Sequence, residues 1–180
     1  MLKGERIILG PIKREYIDSF LKWLNDPEIM HYISRYIPLT RMKEEDWIEN
    51  LKNRDDTILF AISIFDENGK EKHIGNCGLH DIDWKNRSCE VGIMIGEKEY
   101  HGKGYGTEAM VQLVKYGFEE VNLNRIYLRV FDFNERAINS YIKVGFIKEG
   151  RLRQAQFKNG KYHDIFLMSI LYEDWLNGNR

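Results

Sequence analysis

Residues 100–109 read YHGKGYGTEA, in which Gly102, Gly104 and Gly106 stand at alternate positions. An apolar segment rich in isoleucine precedes this stretch and a helical apolar pattern follows it, which predicts a strand, a loop and a helix in succession. Glycines at this spacing let successive backbone N–H groups converge on an anion, and the positive end of the following helix adds to the attraction. The stretch therefore predicts a binding loop for a pyrophosphate, and a flexible connector is the alternative.

This loop differs from the two common nucleotide-binding fingerprints. It lacks the GxxxxGK[ST] pattern of the P-loop. It reads GxGxG rather than GxGxxG, and Thr107 occupies the third Rossmann position. The sequence therefore favours neither a P-loop nucleotidase nor a dinucleotide-binding domain.

The residues before the loop predict a strand, two helices and a three-stranded meander. Asp26-Pro27 ends the first helix, and Thr40 caps the second, which has Trp47, Ile48 and Leu51 on its predicted buried face. The segment 28–39 is left open between a loop and a short helix. The predicted elements are a strand at 5–9, helices at 13–25 and 40–52, and antiparallel strands at 57–65, 72–82 and 87–95.

The residues after the loop predict a helix at 106–121, a strand at 125–131 and a helix at 134–144. Gly145 follows as a left-handed C-terminal residue, and two last strands, starting at 146 and 162, are joined by Asn159-Gly160, a type I′ signal. The order β-α-α-β-β-β-α-β-α-β-β predicts an α+β fold with a mixed, mostly antiparallel sheet flanked by helices. The length of 180 residues predicts a single domain over 1–180.

Two motifs resemble the signatures of the GNAT superfamily of N-acetyltransferases. Residues 97–109 resemble its (Q/R)xxGxG loop, with His101 where Gln or Arg is usual, and residues 134–146, NERAINSYIKVGF, resemble NxxAxxxYxxxGF. The resemblance covers nearly the whole chain and is nearest to the branch of the ribosomal-protein serine/alanine and spermidine acetyltransferases. It implies a sheet split near its middle, and acyl-CoA enters this split.

The resemblance implies acetyl-CoA as co-substrate and a set of residues that bind it. The backbone N–H groups of Met94 and Ile95 are candidates for the pantetheine amides and the oxyanion, and Gly92 would ease a β-bulge there; an ordinary paired strand is the alternative. The predicted cofactor-binding residues are Met94, Ile95, His101, Gly102, Lys103, Gly104, Tyr105, Gly106, Thr107, Asn134 and Ala137.

Two residues are predicted to be catalytic. Tyr141 lies one helical turn beyond Ala137, and its phenol could protonate the departing thiolate; a buried core tyrosine is the alternative. Glu90 shares one strand face with Gly92 and Met94 and could take the proton of the amine, either directly or through water. The alternative for Glu90 is an acid that orients neighbouring strands by hydrogen bonding.

The acceptor amine is expected between residues 28–40 and the last hairpin, 154–163. Acids are missing from residues 31–36, where Arg35 adds positive charge, although the relatives that acetylate spermidine favour acids near this place. We therefore expect a peptide N-terminus or a small amine, with a polyamine acceptor or a catalytically silent CoA-binding sensor as alternatives. Glu44, Glu45 and Asp46 could supply an acidic wall if they faced the cleft, but their place opposite Trp47, Ile48 and Leu51 favours a solvated helix face.

Composition excludes several classes of partner. Lysine and arginine number 27 against 28 acids, which offers no field for nucleic acid or an anionic membrane. The sequence has no apolar run of ~18 residues and no signal peptide, so we expect a cytoplasmic protein in which Cys77 and Cys89 are thiols. The histidines lack the spacing of metal ligands, and we expect no metal. A homodimer is possible.

Overall fold

The computed structural model describes residues 1–178, and all its strands belong to one eight-stranded sheet. The spatial order of the strands is β1-β2-β3-β4-β5-β6-β8-β7. All neighbours pair antiparallel except β5 and β6, which are parallel. The strands are β1 (Leu2–Lys3), β2 (Ile8–Gly10), β3 (Ile58–Phe65), β4 (Glu71–Asp83), β5 (Ser88–Ile95), β6 (Arg125–Phe131), β7 (Ile147–Lys158) and β8 (Lys161–Leu171).

The helices cover both faces of the sheet. The side chains of Ile93 and Ile95 pack with the core under α4 and α5, whereas that of Met94 packs with the aromatic cluster of α1. Successive strand residues point to opposite faces, so these two clusters lie on opposite sides of β5. The helices are α1 (Ile17–Trp23), α2 (Pro27–Met30), α3 (Arg41–Asn50), α4 (Tyr105–Glu119), α5 (Glu135–Val144) and α6 (Tyr172–Gly178).

The sheet splits between β5 and β6. Their parallel pairing begins at Ser88–Arg125 and ends at Glu90–Tyr127, only three residues long. On the outer sides of the same strands, β5 stays paired with β4 up to Ile95, and β6 stays paired with β8 up to Phe131. The two strands therefore diverge after Glu90, which confirms the central split that the sequence predicts.

The predicted caps and turns are confirmed. Gly145 has φ 110°, and its N–H and that of Phe146 donate to the carbonyls of Ile142 and Tyr141, a Schellman ending of α5. Asn159 and Gly160 both have positive φ, as a type I′ turn requires. The α+β class and the order of the predicted elements are confirmed, while the single domain over 1–180 remains a prediction and its last two residues lie outside the described part.

Several predicted boundaries in the first third of the chain are wrong. The strand predicted at 5–9 is two short strands, Leu2–Lys3 and Ile8–Gly10, joined by a tight turn in which the Gly4 N–H donates to the Ile7 carbonyl. The helix predicted at 13–25 begins as a 3₁₀ turn and ends at Trp23. Asp26 then caps α2, with Pro27 at its first position. The segment that the sequence left open between a loop and a short helix therefore begins with a short helix, which ends at Met30. The sequence analysis did not predict α6.

The face predicted for the second helix is correct for Ile48 and Leu51 but wrong for Trp47 and for Glu44. Glu44 is only 4% exposed and Trp47 is 39% exposed. Residues 44, 48 and 51 follow the i, i+4, i+7 spacing of one helix face, so Glu44 joins Ile48 and Leu51 while Trp47 moves to the rim. Burial raises the pKa of the Glu44 carboxyl, and the nearby charge of Arg35 opposes this rise. Glu44 is therefore not on a solvated face.

The β-bulge expected near Gly92 lies elsewhere. Gly92 pairs with Gly78 in regular register, and the register shift between β4 and β5 falls between His80 and Asp83. Asp81 has φ 49° at this irregularity. The cleft needs no bulge in β5, because it opens through the divergence of β6.

Cys77 and Cys89 are buried free thiols. Among residues 1–178 no helix is long and apolar enough to cross a membrane. The same residues contain no cluster of three or more His, Cys, Asp or Glu side chains that could hold a metal ion.

Candidate active site

A cleft of about 740 Å³ occupies the split between β5 and β6. Its walls come from β5, the glycine loop, the end of β6, the start of α5 and the last hairpin. Lys103 and Tyr105 are in the loop but do not line the cleft. The predicted site residues that line it are Glu90, Met94, Ile95, His101, Gly102, Gly104, Gly106, Thr107, Asn134, Ala137 and Tyr141.

The glycine loop is curled by two left-handed residues. Gly102 has φ 72° and Gly104 has φ 87°, which glycine adopts without a steric penalty. Gly104 is the N-cap of α4, so the unpaired N–H groups of the first helical turn lie at the loop. Gly106 is already helical, and a Cβ there would meet Ile95 Cγ1 at an ordinary 3.6 Å. The conformation therefore requires glycine at 102 and 104 only.

The loop is attached to the end of β5. The His101 imidazole lies 2.7 Å from the Ile95 carbonyl through Nε2, which must carry the proton to donate this bond. His101 thus replaces the Gln or Arg of the resembling motif with a side chain that fixes the start of the loop.

Arg6 holds the other side of the loop. Its Nε donates to Glu108 Oε2 at 2.9 Å, its Nη1 donates to the Lys103 carbonyl at 3.0 Å, and its guanidinium lies 4.6 Å from the centroid of the Tyr105 ring. The backbone N–H of Arg6 also donates to Glu108 at 2.8 Å. These contacts of Arg6 are not predictable from the sequence, because Arg6 and Glu108 are 102 positions apart and no local pattern relates them.

Tyr141 is held in the cleft by α5. The Asn134 side chain caps this helix by accepting the Ala137 N–H at 3.3 Å, and the hydroxyls of Thr107 and Ser140, 2.7 Å apart, join α4 to α5. Burial raises the pKa of Tyr141 to about 12. The phenol therefore keeps its proton throughout the neutral pH range.

Glu90 forms an ion pair at the apex of the split. Its two carboxylate oxygens accept hydrogen bonds from Arg129 Nε at 2.9 Å and Nη2 at 2.7 Å. The Glu90 side chain is 18% exposed, so the pair is partly desolvated. It bridges β5 and β6 just where their pairing ends, and this favours the strand-orienting alternative for Glu90. Arg129 was not among the predicted site residues, because the register of β6 against β5 is a tertiary feature.

The two segments predicted to receive the acceptor meet over the cleft. Tyr32, Ile33 and Ser34 line it from one side, and Leu152, Ala155 and Gln156 line it from the hairpin. The Lys158 ammonium donates to the Ile33 carbonyl, and the Asn159 amide lies 3.3 Å from His31 Nδ1.

The charges that line the cleft are mainly positive. Glu90 is the one acid among the described lining residues, and it is paired with Arg129, so Arg136 and Lys143 are the two lining cations that remain outside this pair. Arg35, which the sequence analysis placed in the acceptor site, does not line the cleft; its Nε donates to the Ile37 carbonyl at 3.0 Å. The positive charge expected from Arg35 is therefore supplied by other residues.

Comparisons with known proteins assign the family. A model described as "Acetyltransferase (GNAT) domain" matches residues 6–147. The spermidine N(1)-acetyltransferase of Escherichia coli K12 is 40% identical over 181 residues, which cover 98% of this chain and 91% of that protein. The putative ribosomal N-acetyltransferase YdaF of Bacillus subtilis is 38% identical over 101 residues, 56% of this chain and 55% of that protein.

A solved structure is similar over nearly the whole chain. The spermidine N-acetyltransferase of Vibrio cholerae in complex with CoA and spermine superposes with a TM-score of 0.89, at 27% sequence identity, covering 97% of this chain and 100% of that one. Another structure of that enzyme is described as dodecameric. The family match, the mixed sheet and the split with its glycine loop agree, and the chain belongs to the GNAT family of N-acetyltransferases, with acetyl-CoA as its co-substrate.

Proposed function

We propose that the protein acetylates a primary amine that has no further ammonium group near the reacting nitrogen, such as a peptide N-terminus or a small amine. The observation that carries this proposal is the charge of the cleft, in which the one described acid, Glu90, is already paired with Arg129. A polyamine carries several ammonium groups, and each loses hydration without compensation unless a carboxylate meets it. One paired acid cannot meet several ammonium groups.

The glycine loop is proposed to bind the pyrophosphate of CoA. The left-handed Gly102 and Gly104 and the free N–H groups at the start of α4 support this role, since such a curl presents several donors to one anion. His101 and Arg6 fix the loop beforehand, which reduces the ordering cost of binding.

The backbone of Ile95, beyond the end of β5–β6 pairing, is proposed to bind a pantetheine amide. The predicted role of the Met94 N–H is not supported, because Met94 lies opposite Asn76 in the register in which the Gly96 N–H donates to the Ile74 carbonyl, and this alternation turns the Met94 N–H toward β4.

Tyr141 is proposed as the general acid. Acetyl-CoA, when bound, supplies an acyl carbon that a neutral amine can attack, so a C–N bond forms, the C–S bond breaks, one proton leaves nitrogen and one reaches sulfur. A thiol has a pKa of ~8.5, well below the value of about 12 for Tyr141. Complete transfer of the proton to a free thiolate is therefore uphill, and Tyr141 must donate while the C–S bond breaks.

Glu90 is proposed mainly as a bridge between β5 and β6, and as an acceptor of the amine proton only through water. Arg129 occupies one side of each carboxylate oxygen, and the remaining lone pairs are those that a water could reach.

A polyamine acceptor is the second candidate, and the relatives favour it. The similar proteins of Escherichia coli and Vibrio cholerae are named as spermidine acetyltransferases. For this chain to act likewise, acids outside the cleft would have to serve. Glu44 is buried and does not line the cleft, which weakens this candidate.

Self-association and location in the cytoplasm are also proposals. The dodecameric form described for the Vibrio cholerae enzyme supports an oligomer of this chain, either the homodimer considered from the sequence or a larger assembly. Light scattering of the purified protein measures its mass directly, and a mass of 21.4 kDa would rule out self-association under the conditions used.

The first prediction concerns the loop. Gly104→Val should abolish the thermal stabilisation that CoA gives the wild-type protein, because a β-branched residue does not adopt φ 87° without strain and its Cβ would approach Arg6 Nη2 at 3.2 Å. Gly106→Ala should retain most of the stabilisation, since its backbone is helical and its Cβ has space. Differential scanning fluorimetry with and without CoA measures both.

Gly150→Val is the matched control, because an added Cβ there meets nothing within 4 Å. If Gly104→Val responds to CoA like Gly150→Val, the loop does not bind the phosphates.

The second prediction concerns Tyr141. Tyr141→Phe should lower kcat by ~10²-fold, within the range for a general acid, and leave the affinity for CoA nearly unchanged. A general acid works while it carries its proton, and a pKa raised to about 12 keeps the phenol protonated below that pH. The wild-type rate should therefore show no alkaline decline from Tyr141 up to roughly pH 10. A pH–rate profile of thiol release measures this.

Normal turnover by Tyr141→Phe would show that the hydroxyl is structural. Glu90→Gln separates the two roles of the acid: a bridge predicts lower stability with an unchanged acidic limb of the profile, whereas a base predicts loss of that limb in a stable protein.

The third prediction concerns the acceptor. In a panel of amines with acetyl-CoA, a peptide N-terminus or a monoamine should give a higher kcat/KM than spermidine, because the cations in the cleft raise the KM of a polycation. Free thiol is followed for each amine at the same pH and ionic strength. The advantage should shrink in high salt, which screens charge repulsion.

Spermidine with the highest kcat/KM in the panel would contradict the proposal and support the second candidate. A chain that CoA stabilises but that releases no thiol with any amine would be a CoA-binding sensor.

A further inference from the structure

A second cavity, which we call the side cavity, adjoins the cleft. It has a volume of about 460 Å³ and shares four of its walls with the cleft, namely Ile29, Tyr32, His101 and Arg136. Its remaining walls are Pro27, Glu28, His31 and Lys98. A group that extends from the cleft past Tyr32 would enter this space.

Arg136 is the one cation of the side cavity without an acid partner among residues 1–178. The Lys98 ammonium is held by Asp26 Oδ2 at 2.7 Å and by Glu28 Oε2 at 2.9 Å, so its charge is already met by two carboxylates and these three groups together carry a net charge of −1. The Arg136 guanidinium instead lies 5.3 Å from the centroid of the Tyr32 ring. A stacked guanidinium is oriented by the ring and keeps its N–H donors for another group.

His31 supplies another donor to the same place. Its Nδ1 lies 3.3 Å from the Asn159 amide nitrogen, so Nδ1 accepts and Nε2 carries a proton. The ring packs against Tyr32 and Phe133, with centroids 4.8 Å away in both cases, which fixes its orientation.

From this arrangement we propose that the side cavity binds an anionic oxygen group of the acceptor, so that the substrate is an amine bearing a carboxylate or phosphate far enough from its nitrogen to reach from the cleft into the side cavity. The inference rests on the proposed function and names its substrate class. Charge-assisted bonds from Arg136 would hold this group while the amine lies in the cleft. Most walls of the side cavity come from residues 27–32, the segment over the acceptor side, and the glycine loop contributes only His101. This favours the acceptor over CoA as the source of the anion.

Triglycine and triglycinamide test the proposal, since they differ in a carboxylate at the end remote from the amine. The wild-type protein should show a lower KM for triglycine, and Arg136→Gln should raise that KM by roughly tenfold or more while changing the KM for triglycinamide little. Lys143→Gln is the charge-matched control: Lys143 lines the cleft but not the side cavity, so the ratio of the two KM values should stay as in the wild-type protein.

Calorimetric binding of N-acetyltriglycine and its amide to the CoA-bound protein repeats the comparison without turnover. If no amine is acetylated, the proposed function fails, yet a tenfold preference for the acid that Arg136→Gln removes would still support the anion site. Equal effects of Arg136→Gln on acid and amide would overturn the proposal. The proposal would also be overturned if Arg136→Gln raised the KM of acetyl-CoA but not that of 3′-dephospho-acetyl-CoA. That result would assign the side cavity to the 3′-phosphate of the cofactor.

Discussion

Hydrogen bonding between β5 and β6 stops at Glu90 and Tyr127, and the cleft follows from this interruption in the middle of the sheet. Backbone N–H and C=O groups inside a sheet normally pair, and a buried group without a partner costs free energy comparable to a lost hydrogen bond. From Val91 to Ile95, β5 has no strand on its β6 side within the described chain. An extended ligand with amide groups can restore these bonds as an added strand would, which is the physical reason for expecting the pantetheine arm there.

The remaining features of the site maintain this separation and place charge around it. The ion pair of Glu90 and Arg129 closes the apex, and the hydroxyl pair of Thr107 and Ser140 holds the two helices whose first turns flank the opening. Arg6 and His101 fix the glycine loop at the mouth. The positive charge of this arrangement favours a phosphorylated co-substrate, and in the proposed function it also disfavours a polycationic acceptor. The account of the acceptor and that of the cofactor therefore depend on one charge distribution.

The parts of the fold that the sequence predicts well are those that local backbone chemistry determines. Gly104, Gly145 and the pair Asn159-Gly160 adopt the left-handed conformations that their residue types favour, and Asn134 caps α5 as its position suggests. These features, with two motifs, predict the loop, the α5 helix and the part of the cleft lining that these two elements contribute. The prediction fails where tertiary contacts determine which face of a helix is buried or which side chains form ion pairs. The face that α3 buries depends on how the helix docks, and its apolar residues are too few to indicate that Glu44 points inward. Likewise, the partners Arg6–Glu108 and Glu90–Arg129 are brought together by strand order and register, which no single segment encodes.

Amide hydrogen exchange in the presence and absence of acetyl-CoA tests the central account most directly, because it observes the backbone of β5 itself. The account predicts slower exchange on binding in two places, the peptide covering Val91–Ile95 and the loop covering residues 101–107, with little change in the outer pairs of β3 and β4. Protection confined to the loop, with the exchange of Val91–Ile95 unchanged, would contradict it and show that the split between β5 and β6 does not receive the pantetheine arm.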